Sequence, residues 1–221
     1  MLSNNISGVK MARKTKEDAE ETRDSILEAA TRVFIENGFS NASLEQIAVK
    51  AGVTRGAIYW HFKNKMDIFQ ALHDQLYTPF SEMIVKDLEE DNNMPLKQLE
   101  ELCIKLFIDL EKIPQRKRIL TIFFLKCDYS GQMQKLLECQ NMRKKDSMNL
   151  FAKYFERAKE KGHIAKDADS YILTVSLVCY ITGIAYECLR NPTMIEIEKE
   201  IPKLISLFFI GINNSRINQS I

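Results

Sequence analysis

Apolar residues recur along this 221-residue chain with the three-to-four spacing of α-helices, and no segment shows the sustained alternation of a strand. The first clear run is Ile26, Ala29, Ala30, Val33 and Phe34, which fall on one face of a helix opening at a Thr15 cap and closing at Asn37-Gly38. Short helices are predicted over 43–51 and 54–61, then a long one from Lys65 toward Asp91, bent if Pro79 lies inside it. Helices over 95–113, 115–128, 132–161, 167–190 and 196–213 follow, with Pro95 and Gly162 as punctuation. Pro202 implies a kink or a later start of the last one. The pattern predicts an all-α protein of about nine helices: a three-helix head over 15–64 and a larger helical body over 65–221.

Ser170 to Tyr186 carries no charge and approaches the length of a membrane span. It contains Ser, Thr and Gly, is flanked by Asp169 and Glu187, and lies in a chain that is 45% hydrophobic and 28% charged, so a buried helix and no membrane association are expected. Thirty-one Lys and Arg against 30 Asp and Glu give no global basicity. Locally, Lys10 to Lys16 and Thr54 to Lys65 contain basic residues and no acids. Residues 1–14 read as a disordered arm, with Met11 an alternative start to Met1. Five cysteines without a C-x-x-C pair suit a reduced, cytoplasmic protein. His61, His73 and His163 show no metal-ligand spacing. No phosphate-binding glycine loop, G-x-S-x-G or H-E-x-x-H occurs, so neither an enzyme nor a cofactor is expected.

The chemistry concentrates in "SLEQIAVKAGVTRGAIYWHF". Ala48 is small where two helices must cross, Gly52 suits the left-handed turn between them, and Leu44, Ile47, Val53 and Ile58 face inward. This is the spacing of a helix-turn-helix. Thr54 caps the second helix and leaves the N–H groups that open it, at Arg55 and Gly56, toward a phosphate. Arg55 and Tyr59, four apart, share the exposed face, and the Arg55 fork matches the O6/N7 edge of guanine. Ser43, Tyr59, Trp60, His61, Lys63 and Lys65 are candidates for phosphate contacts that set register. For Tyr59 and Trp60 the alternative is packing of the head on the body.

The run "TRDSILEAATRVFIENGFSNASLEQIAVKAGVTRGAIYWHFKNKMDIF" resembles the DNA-binding head of the tetracycline-repressor (TetR) family. "RKRILTIFFLKCDYSGQM", with its Lys126-Cys127-Asp128-Tyr129 run, and "YITGIAYECL" are similar to the bodies of AcrR-type regulators of multidrug efflux pumps. The resemblance implies a repressor released from a palindromic operator by hydrophobic small molecules, and a homodimer formed through its last two helices. It implies an inducer pocket lined by Tyr77, Leu99, Cys103, Thr121, Phe124, Phe151, Ile181, Thr182 and Tyr186, with Glu187 or Asp128 as the partner for a cationic drug. The apolar pocket residues could equally be core. Two alternatives stay open: a TetR-type repressor of a catabolic or lipid operon, and a small-molecule carrier using the body alone.

Overall fold

The computed structural model describes residues 16–90, 92–127 and 134–214. The expected 1–14 arm, the Thr15 cap, Asp128 and Tyr129 lie outside them. Among the described residues there are nine helices and no strand: α1 (Lys16–Asn41), α2 (Leu44–Ala51), α3 (Arg55–His61), α4 (Lys65–Glu89), α5 (Pro95–Lys112), α6 (Pro114–Leu125), α7 (Gln134–Glu160), α8 (Ser170–Arg190) and α9 (Ile197–Asn214).

Local chemistry sets most of these limits. Gly38 takes φ 73° and ψ 162°, a conformation open to glycine, and the chain then makes one further helical turn to Asn41 rather than stopping at 37–38. Ser43 and Gln46 form a reciprocal capping box, in which the Gln46 N–H donates to Ser43 Oγ and the Ser43 N–H to Gln46 Oε1. Gly52, left-handed at φ 66°, ends α2 by donating its N–H to the Ala48 and Val49 carbonyls. Pro95 and Pro114 open α5 and α6, where a missing N–H costs nothing. Pro79 is carried inside α4 at an exposed position. Pro202 does not delay α9, which already starts at Ile197, where the Glu200 carboxylate accepts from the Glu196 N–H.

Two apolar cores result. The first joins the buried face of α1, with Ile47, Ala48, Ile58 and Phe62, to Ile68, Phe69, Leu72 and Leu76 of α4 and to Ile119, Ile122 and Phe123 of α6. The second joins Ile84 and Leu88 at the far end of α4 to α5, α7, α8 and α9. Packing therefore does not break at residue 64, because α4 spans both cores and α6 belongs to the first. Each fully buried Ile, Leu or Phe contributes about 1.5–3 kcal/mol through lost water contact.

The expectation of a buried α8 holds on one face only. Thr174, Leu177, Val178, Ile184, Cys188 and Leu189 are buried, but the helix, long and apolar enough to cross a membrane, is only 33% buried along its most apolar stretch. Ile172, Ser176, Cys179, Gly183 and Tyr186 leave an exposed stripe at helical spacing, and Leu207 and Ile210 of α9 are likewise exposed.

Candidate functional site

Two places carry chemistry: the outer face of α3 and a cavity in the body. The face is fixed from beneath. Ile58 is fully buried against Ile47, and Ala48, 5% exposed, lets α2 and the α3 turn approach, with the Val53 N–H donating to its carbonyl at 3.0 Å. Thr54 Oγ1 accepts from the Ala57 N–H at 3.1 Å, which aims the opening of α3 outward. A Cβ at Gly56 would meet nothing closer than Thr54 Oγ1 at 3.7 Å, so glycine is not required there by packing.

Arg55 and Tyr59 share the exposed face, where Arg55 Nη2 donates to the Tyr59 hydroxyl at 3.2 Å and the guanidinium lies 5.4 Å from its ring centre. Arg55 Nη1 also sits 2.8 Å from Glu45 Oε1 of α2. The Tyr59 hydrogen bond, followed by the Glu45 carboxylate, raises the Arg55 pKa above its ordinary value. Glu45 carries no local signal in the sequence, since the contact exists only once α2 and α3 have crossed. Trp60 is 72% exposed and meets the His61 ring edge-on at 4.5 Å, so it does not pack the head on the body. Lys63 is exposed. The Ser43 and Thr54 oxygens are committed as acceptors to the caps, which leaves each hydroxyl proton to donate.

Lys65 differs from expectation. Its Nζ donates to the carbonyls of Phe39, Ser40 and Ala42 at 2.6, 3.1 and 2.8 Å and lies 4.5 Å from the Phe39 ring centre. Burial lowers its pKa. The charge neutralises the carbonyl end of α1, to which the ammonium's three donors are committed. Lys65→Met should strand three carbonyls and lower unfolding stability by about 1–3 kcal/mol, read from a denaturant midpoint. An unchanged midpoint would mean the carbonyls are served by water.

The cavity, of about 420 Å³, lies between α4, α5, α6, α7 and α8. Tyr77, Phe124, Phe151, Ile181 and Thr182 line it as expected. Five other expected residues do not. Leu99 and Cys103 are fully buried in the second core, one to three turns along α5 from the Leu106, Phe107 and Leu110 that reach the cavity, and burial pushes the Cys103 thiol up. Thr121 turns its hydroxyl back to the Lys117 carbonyl at 2.8 Å. Tyr186 sits outside as an exposed ring, edge-on to Phe124 at 6.4 Å. Glu187 pairs with Arg190 at 2.8 Å one turn on. It is half-buried and is not part of the cavity wall.

The structure adds His73 and Arg116 to the wall. His73 is 2% exposed, stacked on Tyr77 at 4.2 Å and edge-on to Phe123 at 5.5 Å. A signal existed: Phe69, His73, Leu76 and Phe80 run along one face of α4, so the histidine occupies an otherwise apolar stripe. Arg116 likewise continues the Leu120 and Phe123 face of α6, with its Nη1 3.3 Å from Asp109 Oδ2.

These features agree with the comparisons. The family described as "Bacterial regulatory proteins, tetR family" matches residues 26–72, and "MAATS-type transcriptional repressor, C-terminal region" matches 94–212. The chain belongs to the TetR family of bacterial transcriptional regulators. It is 31% identical over 195 residues to the HTH-type transcriptional regulator TtgR of Pseudomonas putida, covering 88% of this chain and 93% of that one. Among solved structures it resembles NalD, the secondary repressor of the MexAB-OprM multidrug efflux pump in Pseudomonas aeruginosa, with TM-score 0.79 and 32% identity over 89% of this chain and 98% of that one. A complex of SmeT with triclosan matches with TM-score 0.78 and 27% identity, over 86% and 91% of the two chains.

Proposed function

We propose that this protein represses a multidrug efflux operon as a homodimer, gripping an inverted repeat with the two α3 faces and letting go when a hydrophobic molecule fills the body cavity. The observation that carries the reading is the position of α6. Its Leu120, Phe123 and Phe124 line the cavity, while Ile119, Ile122 and Phe123 pack in the core of the head. At its end the Lys126 carbonyl accepts from the Phe39 N–H at 3.3 Å, beside Gly38 of α1. A ligand that displaces Phe123 or Phe124 therefore disturbs the seat of α1 directly.

The uncharged exposed stripe of α8 and the exposed Leu207 and Ile210 of α9 support pairing of two chains through these helices. A dimer sets the two heads at a spacing that matches successive turns of one DNA face. A ligand that binds better to a body with α6 shifted moves the heads off that spacing, and a differential affinity of about 1–3 kcal/mol weakens DNA binding roughly 5- to 150-fold. A carrier using the body alone has no use for the Arg55 and Tyr59 face. The protein then acts in the cytoplasm, beside the DNA it binds.

Selection of bound duplexes from a random pool by the purified protein should enrich one inverted repeat, and hydrophobic drugs titrated into that complex should release it. Linkage adds a check: saturating operator must weaken drug binding by the factor with which drug weakens operator binding. Enrichment of no repeat, or a drug affinity indifferent to operator, would overturn the proposal.

A further inference from the structure

Apart from the imidazole of His73, the cavity wall holds one ionisable basic group, Arg116, and no Asp or Glu among its described lining residues. We infer that the cavity takes aromatic molecules that are uncharged or carry one negative charge, such as phenols and aryl carboxylates, and discriminates against cations. This rests on reading the cavity as the inducer site and names the chemistry that site accepts.

The geometry of Arg116 gives the preference its sign. Its partner Asp109 is bonded through one guanidinium nitrogen at 3.3 Å and is not part of the cavity wall. The pair is neutral as a whole, yet only its basic member belongs to the cavity wall. A carboxylate or phenolate entering the cavity meets a fork of donors that replaces lost water. An ammonium loses its hydration and meets no carboxylate among the described lining residues in exchange. Tyr77, whose pKa burial raises, remains a neutral hydroxyl able to serve a phenol or a carboxylate.

Two features oppose this and are weaker. Aromatic faces attract cations, and Phe80, Phe107, Phe124 and Phe151 share the wall with Tyr77 and Phe123, but no ring face offers a cation the paired donors that a guanidinium offers a carboxylate. Asp74, Glu82, Glu89 and Asp146 line a separate open groove along α4 and α7 that shares only Tyr77 and Ser147 with the cavity, although Asp74 Oδ1 lies 3.9 Å from His73 Nδ1 of the cavity wall. A cation held there stays in solvent and is not taken into the cavity.

Calorimetric titration of the full-length protein with 2-naphthol, 2-naphthoate and 2-naphthylmethylammonium, three probes on one ring system, tests the inference. Naphthol and naphthoate should bind, and the ammonium should bind at least about tenfold more weakly. Arg116→Met should cost naphthoate about tenfold or more and leave naphthol within a few-fold, whereas Arg116→Lys should retain much of the naphthoate affinity. Asp109→Asn should tighten naphthoate by removing its competitor. If Arg116→Met weakens all three alike, Asp109→Asn decides: tighter naphthoate supports the inference, and unchanged naphthoate overturns it. Tightest binding by the ammonium overturns the ligand class while leaving an inducer site in place. Binding by none of the three removes the inducer-site reading, and this inference with it.

Discussion

Arg55→Ala should abolish enrichment of an inverted repeat from random duplexes while leaving the oligomeric state and thermal unfolding of the protein unchanged. Arg55 lies on the open face of α3 and its protein partners, Glu45 and Tyr59, are both exposed, so its removal strands no buried group. A bidentate base contact discriminates roughly 5- to 150-fold per site, and a dimer makes it twice, so the loss of specific affinity should lie between about 25-fold and 20,000-fold. Glu45 makes the prediction sharper. It competes with the guanine edge in the free protein, so Glu45→Gln should strengthen DNA binding while Arg55→Ala weakens it. Lys63→Ala offers the contrast, lowering affinity for all sequences alike and reducing the log-log salt slope by about 2 for the dimer. Retention of one preferred repeat by Arg55→Ala would move the reading of bases to another side chain of the face.

The head was legible because its determinants are local. Ala48, Gly52, Val53 and Thr54 stand within seven positions, and each does in the structure what its chemistry demands at that offset. Lys65 shows the same limit in reverse: adjacent to a basic stretch it reads as a phosphate ligand, and the partners it holds within the chain lie 23 to 26 residues earlier, at the end of α1, where no local pattern announces them. The cavity was legible as a composition and not as a position. Leu99, Cys103, Leu106 and Leu110 follow one face of α5, and periodicity assigns the face without saying where along it the second core gives way to empty space. That boundary depends on α7 and α8 arriving from far along the chain. Glu187, which the resemblance offered as the partner for a cationic drug, has Arg190 one turn away on the same helix, a local pair that sequence spacing allows.

Leu207→Glu should convert the dimer to a monomer at micromolar concentration and remove operator binding with it, while each chain keeps its helical content. The position is 62% exposed in the single chain, next to Ile210 at 53%, and α8 presents Ile172 at 55% alongside its stripe of small residues. Within one chain a carboxylate at 207 stays in water, so the body should fold. In a two-fold dimer the same substitution enters twice and sets a carboxylate against apolar surface, at a cost of several kcal/mol for each buried charge that outweighs pairing with the exposed Lys203 one turn earlier. Sedimentation equilibrium reads the first effect directly, and anisotropy of a labelled operator reads the second. The two are linked because a lone head keeps its Arg55 but loses the second half-site, and with it the affinity that comes from holding two heads on one repeat. The melting temperature should fall as well, since folding no longer gains from association. A variant that stays dimeric and still binds the operator would place the interface on another face and leave the uncharged stripe of α8, with Leu207 and Ile210 of α9, for a different partner.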